Sequence, residues 1–580
     1  MSERRTQGSD ATRFGGLNRT DAAVLVAIVL YAFLFQLGRT WFVDPFPFLG
    51  ADASKIASFA ALADHPDAFP GDELLGDPEH AGVYLTVHVP MIRWLAKGTG
   101  EYGTAFASLL GFHVLLHGIG FYVLGRVLFR SRGFAALLTL LVIVPIKLPL
   151  YTQWGAPHDP MPRFGFQMLL PFLLAAVVAG RHHPWRGPLV LAATGLLMYV
   201  HPVSTPGWAF AIWLSLWLYL PATWSLLQKL GFQFFAGLAF LAAAGPFLAN
   251  YLLSHARGTS GDASFDQVRP IMEGIFPPGY LDVGLALRVF AERFSGPEGL
   301  VLLTGAAGAA FVVASMRGDR RLPLMVLTWL GGILLVALGL PYLDQLRMRA
   351  YGTAPVQIDL IRGLRFGMLF ALLFSLWGLA EWHRVWAGRE IGSARRLLPA
   401  ALAALFVASW VVTHPPAQVV DAAACVARGR LRCPPPAWGP VSEGLRFVRE
   451  DTPAGSTFLP TRTGFGLQVR YYGLRPVLHN RWDFGLLVYS DHDATLAWHE
   501  LHLASEAALA QPGAAARQAA HLELAAALDA DYALLDRSHM PLPLRSGDRA
   551  GAGEVVFANE QLAVVRMRPP PPDESVPPIR

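Results

Sequence analysis

The sequence predicts a polytopic α-helical membrane protein of about eleven transmembrane helices with a C-terminal extracytoplasmic α/β domain. Three observations carry this. The 580 residues are 53% apolar and only 15% charged, too poor in charge for a soluble chain of this size. The apolar residues fall in blocks of roughly 15–22 up to about residue 413 and thin out afterwards. Lys and Arg crowd into alternate short connectors between those blocks, the pattern that orients membrane proteins.

The blocks place spans at about 22–38, 104–125, 134–147, 164–180, 187–200, 206–221, 231–253, 298–316, 322–341, 364–381 and 397–413. Several fall short of the ~20 residues that cross the hydrocarbon untilted, 187–200 most clearly. The first block reads as a retained anchor, because Gln36, Leu37, Gly38 and Arg39 offer no small-x-small cleavage site after it. Short basic connectors such as Arg126 to Arg132 and Arg317 to Arg321 put residues 1–21 in the cytoplasm. An odd number of spans then delivers the polar tail to the other side, the periplasm if the membrane is a bacterial inner membrane. The resulting organisation is a cytoplasmic tail (1–21), a membrane core (22–413) with outer loops at 39–103, 148–163, 254–297 and 341–365, a linker (414–439), an α/β domain (440–568) and a Pro-rich disordered end (569–580).

Within the tail, apolar runs shorten and turn residues separate them. Ser442 to Glu450 reads as an amphipathic helix, Ser456 to Pro460 and Arg475 to His479 as strands, 491–508 and 514–529 as helices, Asp531 to Asp536 as a strand and Glu554 to Arg566 as a hairpin turning at Asn559-Glu560. About 130 residues of this kind are enough for a core of their own.

Several function classes drop out. Despite a formal charge of +5, no Lys/Arg run suited to a phosphate backbone is present, so nucleic acid is not a partner. Two cysteines, Cys425 and Cys433, exclude a disulfide framework and a Cys-rich metal centre; eight residues apart, they either pair or stay free. Nucleophile-elbow, zincin, P-loop and dinucleotide fingerprints are absent.

What remains is chemistry on the outer loops. In the first, Asp44 and Asp52 follow the first span and precede an amphipathic stretch, Ala53 to Ala63; their bland readings are a turn former before Pro45 and a helix N-cap. The later acids, Asp64 to Asp77, read as solvated loop charges. The second loop packs Trp154, His158, Asp159 and Arg163 into a tight connector, whose bland reading is a Pro-rich turn with an Asp159–Arg163 ion pair. The third holds Asp344, Arg347, Arg349, Tyr351, Asp359, Arg362 and Arg365. Arg on the outer side runs against the orientation rule, so either a specific anion or lipid head groups account for it. His201, at another outer edge, reads more simply as structural.

This arrangement resembles the GT-C superfamily of membrane glycosyltransferases, which includes the oligosaccharyltransferase catalytic subunit, protein mannosyltransferases and aminoarabinose transferases. Trp438 to Pro453 is also similar to the opening of the outer domain in bacterial members. The Asp-Glu pair of mannosyltransferases and the Trp-Trp-Asp acceptor motif are absent, Arg481-Trp482-Asp483 being a faint echo. The resemblance implies single inverting displacement of a sugar from a polyprenyl-phosphate donor to a glycan, lipid or protein acceptor. It implies Asp52, Asp44 or Asp159 as the catalytic carboxylate and Arg347, Arg349, Arg362 and Arg365 as donor-phosphate ligands. His158, Arg163, His201 and Tyr351 complete the pocket candidates. A divalent metal is optional in the superfamily, and no metal ligand is assigned. Trp482, Tyr471, Tyr472 and Trp498 are candidate sugar-stacking residues, with core packing as their simpler role. A transporter or a non-catalytic scaffold is the competing class.

Overall fold

The computed structural model describes residues 18–38, 49–82, 84–150, 152–156, 160–258, 262–277, 279–316, 319–387, 393–414, 417–429, 439–461, 463–537, 544–551 and 553–567. The chain is a mostly helical membrane protein ending in a small α/β domain. Helices occupy all eleven predicted span positions. Seven of the described helices are long and apolar enough to cross a membrane: Arg19–Gln36, Tyr102–Phe129, Pro162–Gly180, Leu226–Ala256, Glu298–Ser315, Arg321–Tyr351 and Ile358–Ala387. Arg132–Ile143 and Leu397–Thr413 are shorter apolar helices. Arg186–Leu196 and Thr205–Leu216, at 11 and 12 residues, rise only about 17–18 Å each.

Burial sorts the long helices. In the most apolar 18-residue stretch of Ile358–Ala387, 83% of the residues are buried within the protein, so it is central, whereas the corresponding stretches of Arg19–Gln36 and Leu226–Ala256 are only 22% buried. Small residues allow the central helix to approach Pro297–Ser315 backbone to backbone. A Cβ on Gly305 would lie 2.6 Å from the Ala371 Cα, and one on Gly378 would lie 2.7 Å from the Gly308 Cα. The first helix begins at a capping box between Asn18 and Asp21. The same Asp21 is paired with Arg126 and Arg132 and accepts from the Tyr122 hydroxyl, tying the start of the first span to the basic connector 126–132.

Between spans, β1 (Ile146–Leu148) and β2 (Thr152–Trp154) form a short antiparallel hairpin. In the C-terminal domain β3 (Phe458–Pro460), β4 (Tyr532–Asp536), β5 (Arg549–Ala550), β6 (Gly553–Ala558) and β7 (Leu562–Met567) make one sheet in the order β3-β4-β7-β6-β5. β3 and β4 run parallel and the other pairs antiparallel, with a bulge between Val555 and Phe557. Helices Gly439–Glu450, His492–Leu509 and Ala514–Ala527 flank it. The expected strand at 475–479 is a single bridge, Val477 to Phe458. Cys425 is disulfide-bonded; Cys433 and residues 569–580 lie outside the described residues.

The domain is fastened by a buried ion cluster to the segment between Arg19–Gln36 and Tyr102–Phe129. Arg470, fully buried, donates Nε to Asp72 (2.8 Å) and both Nη atoms to Asp483 (2.8 and 2.7 Å). Asp72 also accepts from the backbone of Leu74, Leu75 and Val477 at 2.8–2.9 Å. Beside it Glu73 meets His479 Nδ1 at 3.1 Å and the Asn480 amide at 2.9 Å. Burial, then the adjacent Asp483, hold the Glu73 carboxyl well above the usual range, and burial lowers His479 to about 4, so both groups are shifted toward their uncharged forms. The reading of Asp64 to Asp77 as solvated charges is therefore corrected at Asp72, which is 5% exposed, and at Glu73. Their backbone alone gave no hint of a distant guanidinium.

Arg470→Met, which strands two buried carboxylates, is expected to destabilise the chain by about 3–5 kcal/mol, read by thermal unfolding in detergent. A second effect comes from His521, which is fully buried with Nε2 3.2 Å from the Leu459 carbonyl and is lowered by burial to about 4. The unfolded chain takes up this proton at its ordinary pKa and the folded chain resists. Stability is thus present above about pH 6.5 and lost as pH falls toward 4, by a total of about 3 kcal/mol. His521→Gln should flatten the dependence of melting temperature on pH over that window.

Candidate functional site

The Ala51–Asp64 helix starts behind Gly50, its N-cap, so Asp52 lies in its first turn and is not the cap. One face of this helix is fully buried through Ala53, Ala57, Ala60 and Ala61. The other turns Asp52 and Lys55, three residues apart and hence neighbours, into a cleft. That cleft encloses about 920 Å³ including the space at its open mouth. Its walls come from the Ala51–Asp64 helix, the start of the Pro162–Gly180 helix with Arg163, the stretch 357–362 with Gln357, Asp359 and Arg362, and the C-terminal Phe484–Ser490 helix with Tyr489, with Tyr84, His201 and Tyr251 from three further parts of the chain.

Arg163 Nη2 stands 3.4 Å from Asp52, whose side chain remains about half exposed. Burial by the cleft walls raises the Asp52 carboxyl, but Arg163, then Lys55 and Arg362, outweigh it and hold the group below the usual carboxylate range. Arg362 pairs with Asp359 at 3.3 Å, reaches the Leu150 carbonyl at 3.4 Å and lies 5.4 Å over the Tyr280 ring. Lys55 lines the cleft with no hydrogen-bond or ion-pair partner among the described residues; burial is the main cause lowering its pKa. Three cations thus face two carboxylates, a net positive lining suited to an anion. On another wall Tyr489 donates to Gln357 Oε1 (3.2 Å), Gln357 donates to the Tyr251 hydroxyl (3.2 Å), and Tyr251 donates to the Val356 carbonyl (2.7 Å). This wall is neutral and aromatic.

Arg365 sits just behind. It is 1% exposed, donates Nη2 to Ser204 Oγ at 2.5 Å and packs over Phe366 at 5.0 Å. Its Nε and Nη1 have no hydrogen-bond partner among the described residues. It borders a narrow crevice lined mainly by aliphatic groups.

Of the residues singled out in the sequence, the structure brings Asp52, Arg163, His201 and Arg362 to one cleft, with Arg365 behind it. It does not bring Arg347, Arg349 or Tyr351 there. The Arg321–Tyr351 helix runs 31 residues, roughly 46 Å, and so carries these three on a helical extension where a loop was expected. Arg347 is held by Asp344 at 3.2 Å and by the Ala354 carbonyl, and Tyr351 is 78% exposed. Asp44, His158 and Asp159 lie outside the described residues. Sequence reasoning missed Lys55, although its spacing from Asp52 was the signal. It also missed Tyr84, Tyr251 and Tyr489, which no local pattern marks. Among the stacking candidates, Trp498, Tyr471 and Tyr472 are core residues at 1%, 1% and 6% exposure, and only Trp482 is exposed. No group of three or more His, Cys, Asp or Glu suited to a metal occurs among the described residues.

Replacing Arg163 by Gln removes the largest influence lowering Asp52, while burial remains. The pH at which Asp52 becomes reactive to a carbodiimide, followed by peptide mass spectrometry, should move upward relative to wild type.

No protein-family model matches the chain, and no curated protein sequence matches it. Among solved structures, the crystal structure of ArnT from Cupriavidus metallidurans bound to undecaprenyl phosphate is similar to this chain, with 14% sequence identity and a TM-score of 0.40 over 94% of this chain and 97% of that one.

Proposed function

We propose that the protein is a membrane glycosyltransferase that moves a sugar from a polyprenyl-phosphate donor, undecaprenyl phosphate being the natural carrier to test, to an acceptor at the outer face of a bacterial inner membrane. In this reading the N-terminus is cytoplasmic, and the 440–568 domain is extracytoplasmic and forms one wall of the site. The observation that carries it is the joint placement of Lys55, Arg163 and Arg362 with the half-exposed Asp52 around one cleft at the ends of apolar helices.

The chemistry follows from the charges. A lipid phosphate entering from the membrane meets Lys55, which has no hydrogen-bond or ion-pair partner among the described residues, and then the two guanidiniums, which stabilise the charge that grows on the phosphate oxygen as the bond to the anomeric carbon breaks. The acceptor oxygen or nitrogen attacks that carbon from the opposite face, and its proton passes to a carboxylate, so the configuration inverts. Asp52 is suited to this role because a phosphate docking on Arg163 competes for the guanidinium that keeps Asp52 weakly basic. Its basicity therefore rises as the donor is seated. Asp44 and Asp159 are alternative carboxylates for the same step. The neutral wall of Tyr84, Gln357, Tyr251 and Tyr489 supplies hydroxyl and amide partners for a sugar.

The test is envelope glycan analysis of a deletion strain complemented with wild type, Asp52→Ala, Asp159→Ala or Lys55→Met at matched protein level. Loss of one glycan modification on deletion, restored by wild type and reduced about 10²–10⁴-fold in rate by at least one carboxylate variant, is expected. Wild-type behaviour of both Asp52→Ala and Asp159→Ala would overturn the catalytic assignment.

A further inference from the structure

His201 lies in the short turn between Leu197–Tyr199 and Thr205–Leu216, buried to 9% exposure and lining the cleft. Its Nδ1 is 2.9 Å from Ser204 Oγ and 3.2 Å from the Ser204 backbone nitrogen. A backbone N–H can only donate, so Nδ1 is an acceptor there. Arg365 Nη2 approaches the same Ser204 Oγ at 2.5 Å, and a guanidinium also only donates. Ser204 Oγ accepts from Arg365, which leaves its own O–H to donate to Nδ1. Both contacts therefore demand a lone pair on Nδ1, and the single ring proton of a neutral imidazole is placed on Nε2.

We propose that His201 presents a fixed, uncharged Nε2–H to the cleft as a hydrogen-bond donor to the phosphate of the lipid donor, with Ser204 and Arg365 as the residues that lock its tautomer. The inference rests on the polyprenyl-phosphate reading above. It makes His201 a phosphate ligand and excludes it as a general base, since the only nitrogen with a free lone pair is already occupied by Ser204. The neighbourhood agrees. Burial first, then Arg365, Arg163, Arg362 and His88, push the imidazole well below its ordinary pKa, while the cleft's carboxylates, Asp52 and Asp359, are already engaged by Arg163 and Arg362. It also gives buried Arg365 a purpose that its two unpartnered nitrogens do not: through Ser204 it polarises the imidazole toward donation.

Two measurements test this on the full-length protein in detergent. Nitrogen-15 spectra of histidine-labelled wild type, assigned by difference from His201→Gln, should show a protonated Nε2 that does not titrate between pH 8 and 5.5, and Ser204→Ala should mix the tautomers. A protonated Nδ1, or titration within that window, overturns the proposal. Binding of farnesyl phosphate, with farnesol as the control lacking phosphate, supplies the second. His201→Phe should weaken farnesyl phosphate about tenfold and leave farnesol unchanged, whereas His201→Gln, whose amide N–H can replace Nε2–H, should stay within about threefold of wild type. Melting temperatures check that each variant is folded. If wild type and His201→Phe prefer farnesyl phosphate over farnesol equally, only the His201 assignment falls. If wild type shows no such preference, the lipid-phosphate reading falls and takes this inference with it.

Discussion

The composite cleft depends on one buried guanidinium. At Arg470 the C-terminal domain, through Asp483, and the segment between the first two long helices, through Asp72, are joined. A charge removed from water so completely is tolerable only when its donors are satisfied by opposite charge, and here three donor atoms find carboxylates at 2.7–2.8 Å. The geometry of that cluster sets where Phe484–Ser490 comes to rest against Ala51–Asp64. Together with the shared apolar core of Phe484, Leu487 and Val488 with Ile56 and Phe59, it holds Gly485, Leu486 and Tyr489 in place against Asp52 and Lys55. The Glu73–His479 contact beside the cluster, both groups shifted toward their uncharged forms, adds shape with little charge.

Inside the cleft the opposite policy holds. Among the described residues the charges there are incompletely matched: Asp52 touches Arg163 at a long 3.4 Å and stays half open, Lys55 has no hydrogen-bond or ion-pair partner, and Arg365 is buried with two nitrogens that no hydrogen bond uses. A folded protein that satisfies Arg470 fully, yet leaves these cations wanting an anion, separates structural from ligand-facing electrostatics within the same outer layer. The cationic side and the neutral tyrosine side give the cleft two chemically distinct halves.

Much of the architecture was legible because its signals are local. Apolar block length announced the membrane helices, and alternation with turn residues announced β3, β4 and the β6–β7 hairpin in nearly their observed places. Asp52, Arg163, His201, Arg362 and Arg365 were visible as polar groups that apolar surroundings do not explain. Other features were hidden for physical reasons. Asp72 and Arg470 are almost four hundred residues apart, and nothing in either segment names its partner. Arg347 and Arg349 read as loop residues because the Arg321–Tyr351 helix outruns its apolar stretch, and helix propensity continues where hydrophobicity stops. Lys55 was overlooked although a three-residue step along a helix puts it beside Asp52.

The glycine contacts between Pro297–Ser315 and the central helix reach further than packing. Ile358–Arg365, which carries Asp359, Arg362 and Arg365, runs without a break into Phe366–Ala387, whose Ala371, six residues after Arg365 and nine after Arg362, rests against Gly305. The register in which the two helices mesh therefore fixes where Arg362 and Arg365 stand at the cleft. A single methyl group added in this buried contact would be transmitted along the helix as a displacement of the cationic wall.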